Sequence, residues 1–135
     1  MRVLYALCCE RAQRRNDGRV DVVGVFHQLF APGFPAMQEA MTLALALEWG
    51  PGEEGHHELR IDLLDPQASP VLTVQGHTDV PTPRPHEPPP RTELVLAFDR
   101  VVFPRPGVYG WRLRVAGREQ EVAPLHLLLL PGEAA

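Results

Sequence analysis

The sequence predicts an all-β fold: an antiparallel sandwich of about eight short strands. Apolar and polar residues alternate with period two in segment after segment, the signature of a strand with one face buried. Turn residues interrupt that alternation at the spacing of a sandwich. No helical stretch is long enough to serve as a parallel crossover, so two packed sheets are favoured over an α/β layout.

Residues 2–10 form the first candidate strand, an apolar run that stops at Glu10 and Arg11. Asn16-Asp17-Gly18 follows as a hairpin turn in which glycine supplies a positive φ, and residues 19–30 return from it. Residues 36–40 read as a short helical turn, because Ala, Met, Gln and Glu are good helix formers and Met37 and Met41 are spaced i, i+4. A strand over 42–49 comes next, with Leu43, Leu45, Leu47 and Trp49 on one face and Thr42, Ala44, Ala46 and Glu48 on the other.

After the turn Gly50-Pro51-Gly52-Glu53-Glu54-Gly55, the residues Leu59, Ile61 and Leu63 point inward. Glu58, Arg60 and Asp62 face water, where their charges can pair with a neighbouring strand. Asp65-Pro66 closes that strand and residues 71–78 form the next. Residues 81–90 hold six prolines in ten positions, so they can neither donate to a ladder nor coil into a helix. They are expected to form a loop of polyproline II character between two strands. Residues 93–102 resume the sandwich, and Pro104-Arg105-Pro106-Gly107 turns the chain. Residues 108–115 give the clearest alternation, with Tyr109, Trp111, Leu113 and Val115 on one face. Ala116-Gly117 is a second tight turn, and residues 118–130 complete the fold.

A chain of 135 residues suits one domain over residues 1–135, with no internal repeat. All 13 basic residues are Arg, against 17 acidic residues, and the net charge of −4 works against a nucleic-acid partner. The absence of Lys, a single Asn and 15 prolines fit a GC-rich bacterial genome and the thermophile pattern of few thermolabile amides and many loop prolines. The apolar run 3–9 is too short for a secretory leader, and no stretch approaches the length a membrane helix needs. A cytoplasmic protein is expected. Cys8 and Cys9, adjacent on a strand, point to opposite faces and are expected as free thiols.

Nucleophilic catalysis finds little support. Ser69 is the only serine and sits beside Pro70 without a nucleophile-elbow pattern, while the cysteines lie in a core strand rather than an exposed, electropositive setting. The acid pairs Asp62/Asp65, Glu93/Asp99 and Glu53/Glu54 are not placed across a cleft, and no glycine-rich phosphate loop occurs. Arg11, Arg14, Arg15 and Arg19 gather near the first turn, where a solvated hairpin end is the simpler reading. Six histidines invite a metal reading, with His56, His57, His77 and Asp79 as the candidates, although their spacing matches no zinc motif. No catalytic residue and no cofactor are assigned.

Two features suggest interaction. Pro85 and Pro88 stand in P-x-x-P spacing, which a preformed polyproline helix can present to an aromatic groove. Leu125, Leu127 and Leu129 belong to an apolar run that would be exposed in an edge strand. The favoured function is therefore a non-enzymatic module that self-associates or binds a protein partner. A metal-dependent hydrolase built on the histidine candidates and a small-ligand carrier with a cavity between the sheets are the alternatives.

Val3-Leu4-Tyr5-Ala6-Leu7-Cys8-Cys9-Glu10, then Gly24-Val25-Phe26, Phe34-Pro35 and Phe103-Pro104-Arg105-Pro106-Gly107-Val108-Tyr109 follow one another in order. The series resembles a family of small uncharacterised bacterial proteins of unknown function. The resemblance covers nearly the whole chain, apart from the proline-rich insert. It implies an immunoglobulin-like β-sandwich and no assigned activity. Tyr109, just after the turn, resembles the sandwich tyrosine whose hydroxyl ties back to its connecting loop.

Overall fold

A computed structural model describes residues 1–131. They form nine strands and no helix: β1 Arg2–Arg14, β2 Val20–Val25, β3 Gln28–Ala31, β4 Ala36–Glu48, β5 Gly55–Leu64, β6 Pro70–Val80, β7 Arg91–Phe103, β8 Gly107–Val115 and β9 Arg118–Leu129. Two sheets pack face to face, one in the order β2-β1-β4-β7 and the other in the order β3-β9-β8-β5-β6. The predicted all-β sandwich is present.

Alternation builds the core. Leu43, Leu45, Leu47 and Trp49 from one sheet meet Leu59, Ile61, Leu63, Tyr109, Trp111, Leu113 and Leu125 from the other, all of them buried. Burying each such side chain stabilises the fold by roughly 1.5–3 kcal/mol, which makes this layer the dominant favourable term. Phe98 and Trp111 stack at 5.4 Å between centroids, and Phe103 meets Tyr109 edge-on at 5.0 Å. The Tyr109 hydroxyl donates to the Arg105 carbonyl at 2.7 Å and accepts from the Arg105 amide at 3.2 Å. The tie expected of that tyrosine is made.

Four local expectations need correction. Residues 19–30 are two strands rather than one, because the chain leaves the first sheet after Val25 and joins the second at Gln28. There β3 runs parallel to β9, so the sandwich is not wholly antiparallel. Residues 36–40 extend β4 and are not helical: Ala36, Met37, Gln38 and Ala40 pair with β7, and the ladder outweighs a helix propensity worth only tenths of a kcal/mol per residue. The inward face of β4 and β7 also changes along their length. Arg100, at φ 55°, and Glu39 are unpaired in the ladder, and beyond them Val101 and Phe103 are buried while Met37 and Val102 are half exposed.

The fourth concerns the outer face of the first sheet, where half-buried alternation sets Thr42, Ala44, Ala46 and Glu48 opposite the core leucines. Ala44 and Ala46 are fully buried there. Strand β1 pairs with β4 only as far as Cys9 and Thr42. Past that point it turns back with β2 as a two-stranded arm. Arg14 Nη2 donates to the carbonyl of Glu93, the residue opposite Ala46, and Val20 and Val22 of the arm line one concavity with Tyr5 and Leu7. Small side chains on β4 leave room for the arm to lie across the sheet. The bend falls at Glu10 and Gly24, between the pairs Cys9–Val25 and Arg11–Val23, and Gly24 adopts φ 70° there.

Candidate functional site

The outer face of the second sheet carries the polar chemistry. Along β5 the even-numbered residues His56, Glu58, Arg60 and Asp62 face out, and register sets them against Asp79, His77, Gln75 and Thr73 of β6. On the other side Arg114 and Arg112 of β8 lie opposite Arg60 and Asp62. The result is a ladder of charges in which Asp62, expected to face water, is instead fully buried beneath its partners. Asp62 accepts hydrogen bonds from Thr73 Oγ1 at 2.5 Å, Arg112 Nη2 at 2.9 Å and Arg60 Nε at 3.2 Å. Glu119 of β9 extends the ladder to Arg114 at 3.1 Å. Alternating charge on these strands, legible in the sequence, thus becomes cross-strand pairing.

At the open end of that ladder His56 sits between two carboxylates, with Nε2 at 2.8 Å from Glu58 Oε1 and Nδ1 at 3.0 Å from Asp79 Oδ1. Hydrogen bonds to Glu58 and then to Asp79 hold the imidazole's pKa above its ordinary value. The His77 ring lies beside it, centroids 5.0 Å apart. The structure therefore brings three of the four metal candidates together. His57 is not with them, because successive residues of a strand face opposite ways. It stacks on Trp49 at 4.6 Å, and its Nε2 meets the Glu53 carbonyl at 2.6 Å. Among the described residues, no three His, Cys, Asp or Glu side chains are converged so as to hold a metal ion.

The remaining candidates take structural places. Cys8 and Cys9 are buried free thiols. Asp65 Oδ1 accepts from the amides of Gln67 and Ser69, fastening the turn that contains the only serine. Arg15 pairs with Asp21 at 3.1 Å and with Asp17 at 3.5 Å, so part of the arginine cluster is neutralised within the hairpin end.

Pro85 and Pro88 are exposed but do not share a polyproline helix. A turn at 84–87 separates them: the Glu87 amide donates to the Arg84 carbonyl, Glu87 Oε1 accepts from the Arg84 amide, and His86 takes φ 73°. Polyproline II needs φ near −75° at every step. The loop instead folds around Trp49, where Pro83, Pro89 and Pro90 help line a cavity of about 200 Å³. That is below the ~300 Å³ at which sites for drug-sized ligands begin.

Leu125 and Leu127 are core residues and not surface ones. β9 is flanked by both β8 and β3, so its inward side chains are covered by the opposite sheet. Leu129 is 56% exposed, together with Phe30 at 52%, Val108 at 51% and Leu128 at 38%. Phe30 lies in register with Leu128, and Val108 lies opposite His126, two residues along the same strand face. Alternation could have placed Leu128 outside and Glu58 beside His56. The neighbours Phe30 and His77 depend on strand pairing, which no local pattern reports.

The fold is that of a two-layer β-sandwich, with a charged ladder on one outer face and a hairpin arm on the other. The chain belongs to a family of unknown function, DUF6941, which it matches over residues 4–128, as the order of its motifs predicts. No curated protein and no solved structure matches it. Among the described residues, no helix is long and apolar enough to cross a membrane.

Proposed function

We propose that this chain is a cytoplasmic, non-enzymatic interaction module that self-associates through the β3–β9 border of the second sheet. The observation that carries the reading is the apolar strip Phe30, Leu128, Leu130 and Val108, each of them 38–52% exposed on or beside one sheet edge. Edge strands are ordinarily blunted by charge or proline, and Gln28–Ala31 contains neither. A second copy is the occupant that fits. Two chains of net charge −4 repel, so a contact between them favours a surface free of charge, and this strip has no Asp, Glu or Arg. Apolar surface is also self-complementary, as a twofold interface requires.

Light scattering across the micromolar range tests the proposal. Twice the chain mass is expected for the native protein, and the monomer mass for Phe30→Ser/Leu128→Ser with an unchanged circular dichroism spectrum. A native protein that stays monomeric at every concentration, or a double variant that stays dimeric, overturns it.

A further inference from the structure

We propose that two copies of the chain join by antiparallel pairing of β3 with β3, so that their five-stranded sheets become one continuous sheet with a twofold axis at Leu29. This rests on the self-association proposed above and names the contact that makes it specific: backbone to backbone, between Gln28 of one copy and Phe30 of the other.

Pairing with β9 fixes which backbone groups of β3 are free. The carbonyls of His27 and Ala31 accept from the amides of His126 and Leu130 at 2.9 and 2.8 Å. Backbone groups address alternate sides of a strand, so the odd-numbered residues of β3 face β9, and the amide and carbonyl of Gln28 and of Phe30 point the other way. On that side β3 is the end of its sheet, and among the described residues no strand follows it. An unpaired row of this kind is a template for another strand. The row is also bounded at both ends. The Phe26 amide is already donated to the Cys8 carbonyl at 2.9 Å, and Pro32 has no amide to give.

Those bounds select one register. With Leu29 opposite Leu29, each Gln28 lies opposite a Phe30 and exchanges two hydrogen bonds with it, so every free group of the row is used. An axis at Gln28 would set Phe30 against Phe26, and an axis at Phe30 would set Gln28 against Pro32; both leave bonds unmade. Side chains agree with the central register. Leu29, half-buried at the border of the core, meets its own counterpart on the inner face. Phe30, 52% exposed on the outer face, comes within the diagonal reach of the second Phe30. A twofold axis brings every charge near it against its own copy, and residues 26–33 contain no Asp, Glu or Arg.

Amide hydrogen exchange of the full chain, followed by NMR at concentrations where light scattering reports monomer and where it reports dimer, is the test. The amides of Gln28 and Phe30 are expected to exchange at least about tenfold more slowly in the dimer, while those of Leu29 and Ala31, bonded to β9, are protected in both states. Gln28→Pro removes one outward amide from an edge strand and leaves the apolar strip intact. Because the symmetric contact loses two hydrogen bonds, its dissociation constant should rise about tenfold or more, whereas Gln28→Ala should dimerise as the native chain does. A dimer in which Gln28 and Phe30 exchange as fast as in the monomer, or Gln28→Pro dimerising as tightly as the native chain, overturns strand pairing and leaves the apolar strip as the interface. A chain that never dimerises overturns both.

Discussion

The indole Nε1 of Trp111 in β8 donates to Cys8 Sγ in β1 at 3.2 Å, so the largest side chain of one sheet is anchored on a thiol of the other. Neither group reaches water. Burial pushes the Cys8 thiol up to about 11, an effect the indole hydrogen bond only partly offsets, and burial raises Cys9 as well. Both thiols should therefore resist an aromatic disulfide reagent at neutral pH and react once the chain is unfolded in guanidinium. Rapid labelling of the native protein would contradict this. Cys8→Ala should lower stability by about 1–3 kcal/mol, read from the urea midpoint, because it strands a buried indole donor.

Gly24 is required where the arm turns back over the first sheet. A Cβ built there falls 2.6 Å from Glu10 Cγ and Cδ, and the φ of 70° is itself strained for a residue with a side chain. Gly24→Ala should cost about 1–2 kcal/mol of stability. Adding Glu10→Ala removes the contact and leaves the backbone strain, so the double variant should recover only part of the loss. Full recovery would show that backbone conformation contributes nothing at this bend.

The sequence was legible where one face of a strand is buried and the other wet. Tyr109 to Val115 and Leu59 to Leu63 alternate as they do because each strand separates core from solvent. It was least legible where that contrast vanishes. Residues 43–47 are buried on both faces, by the opposite sheet and by the arm, and nothing local to Ala44 or Ala46 reports an arm that arrives from residues 10–25. Likewise, Phe30 joins Leu128, and Glu58 joins His77, only through pairings between distant segments. Of the metal candidates, His57 was misplaced for a reason the sequence did contain, since it follows His56 directly and must face the other way.

Asp62 makes the stability of the second sheet depend on pH. Burial alone would raise its pKa, but hydrogen bonds from Thr73, Arg112 and Arg60 outweigh that and hold the carboxyl below its ordinary 3.8. A folded value below the unfolded one means that the ionised form is favoured by folding. Its contribution is complete above the unfolded value and is lost as pH falls through the folded one. Melting temperature should accordingly drop as the solution is acidified below 3.8. Asp62→Asn keeps the shape but leaves Arg60 and Arg112 without their shared anion, and should cost about 1.5–3 kcal/mol at neutral pH, the range for hydrogen bonds to charged groups. The variant should also lose that part of the acid dependence. An unaltered acid limb in Asp62→Asn would assign the effect to other carboxylates and remove Asp62 from the centre of the ladder.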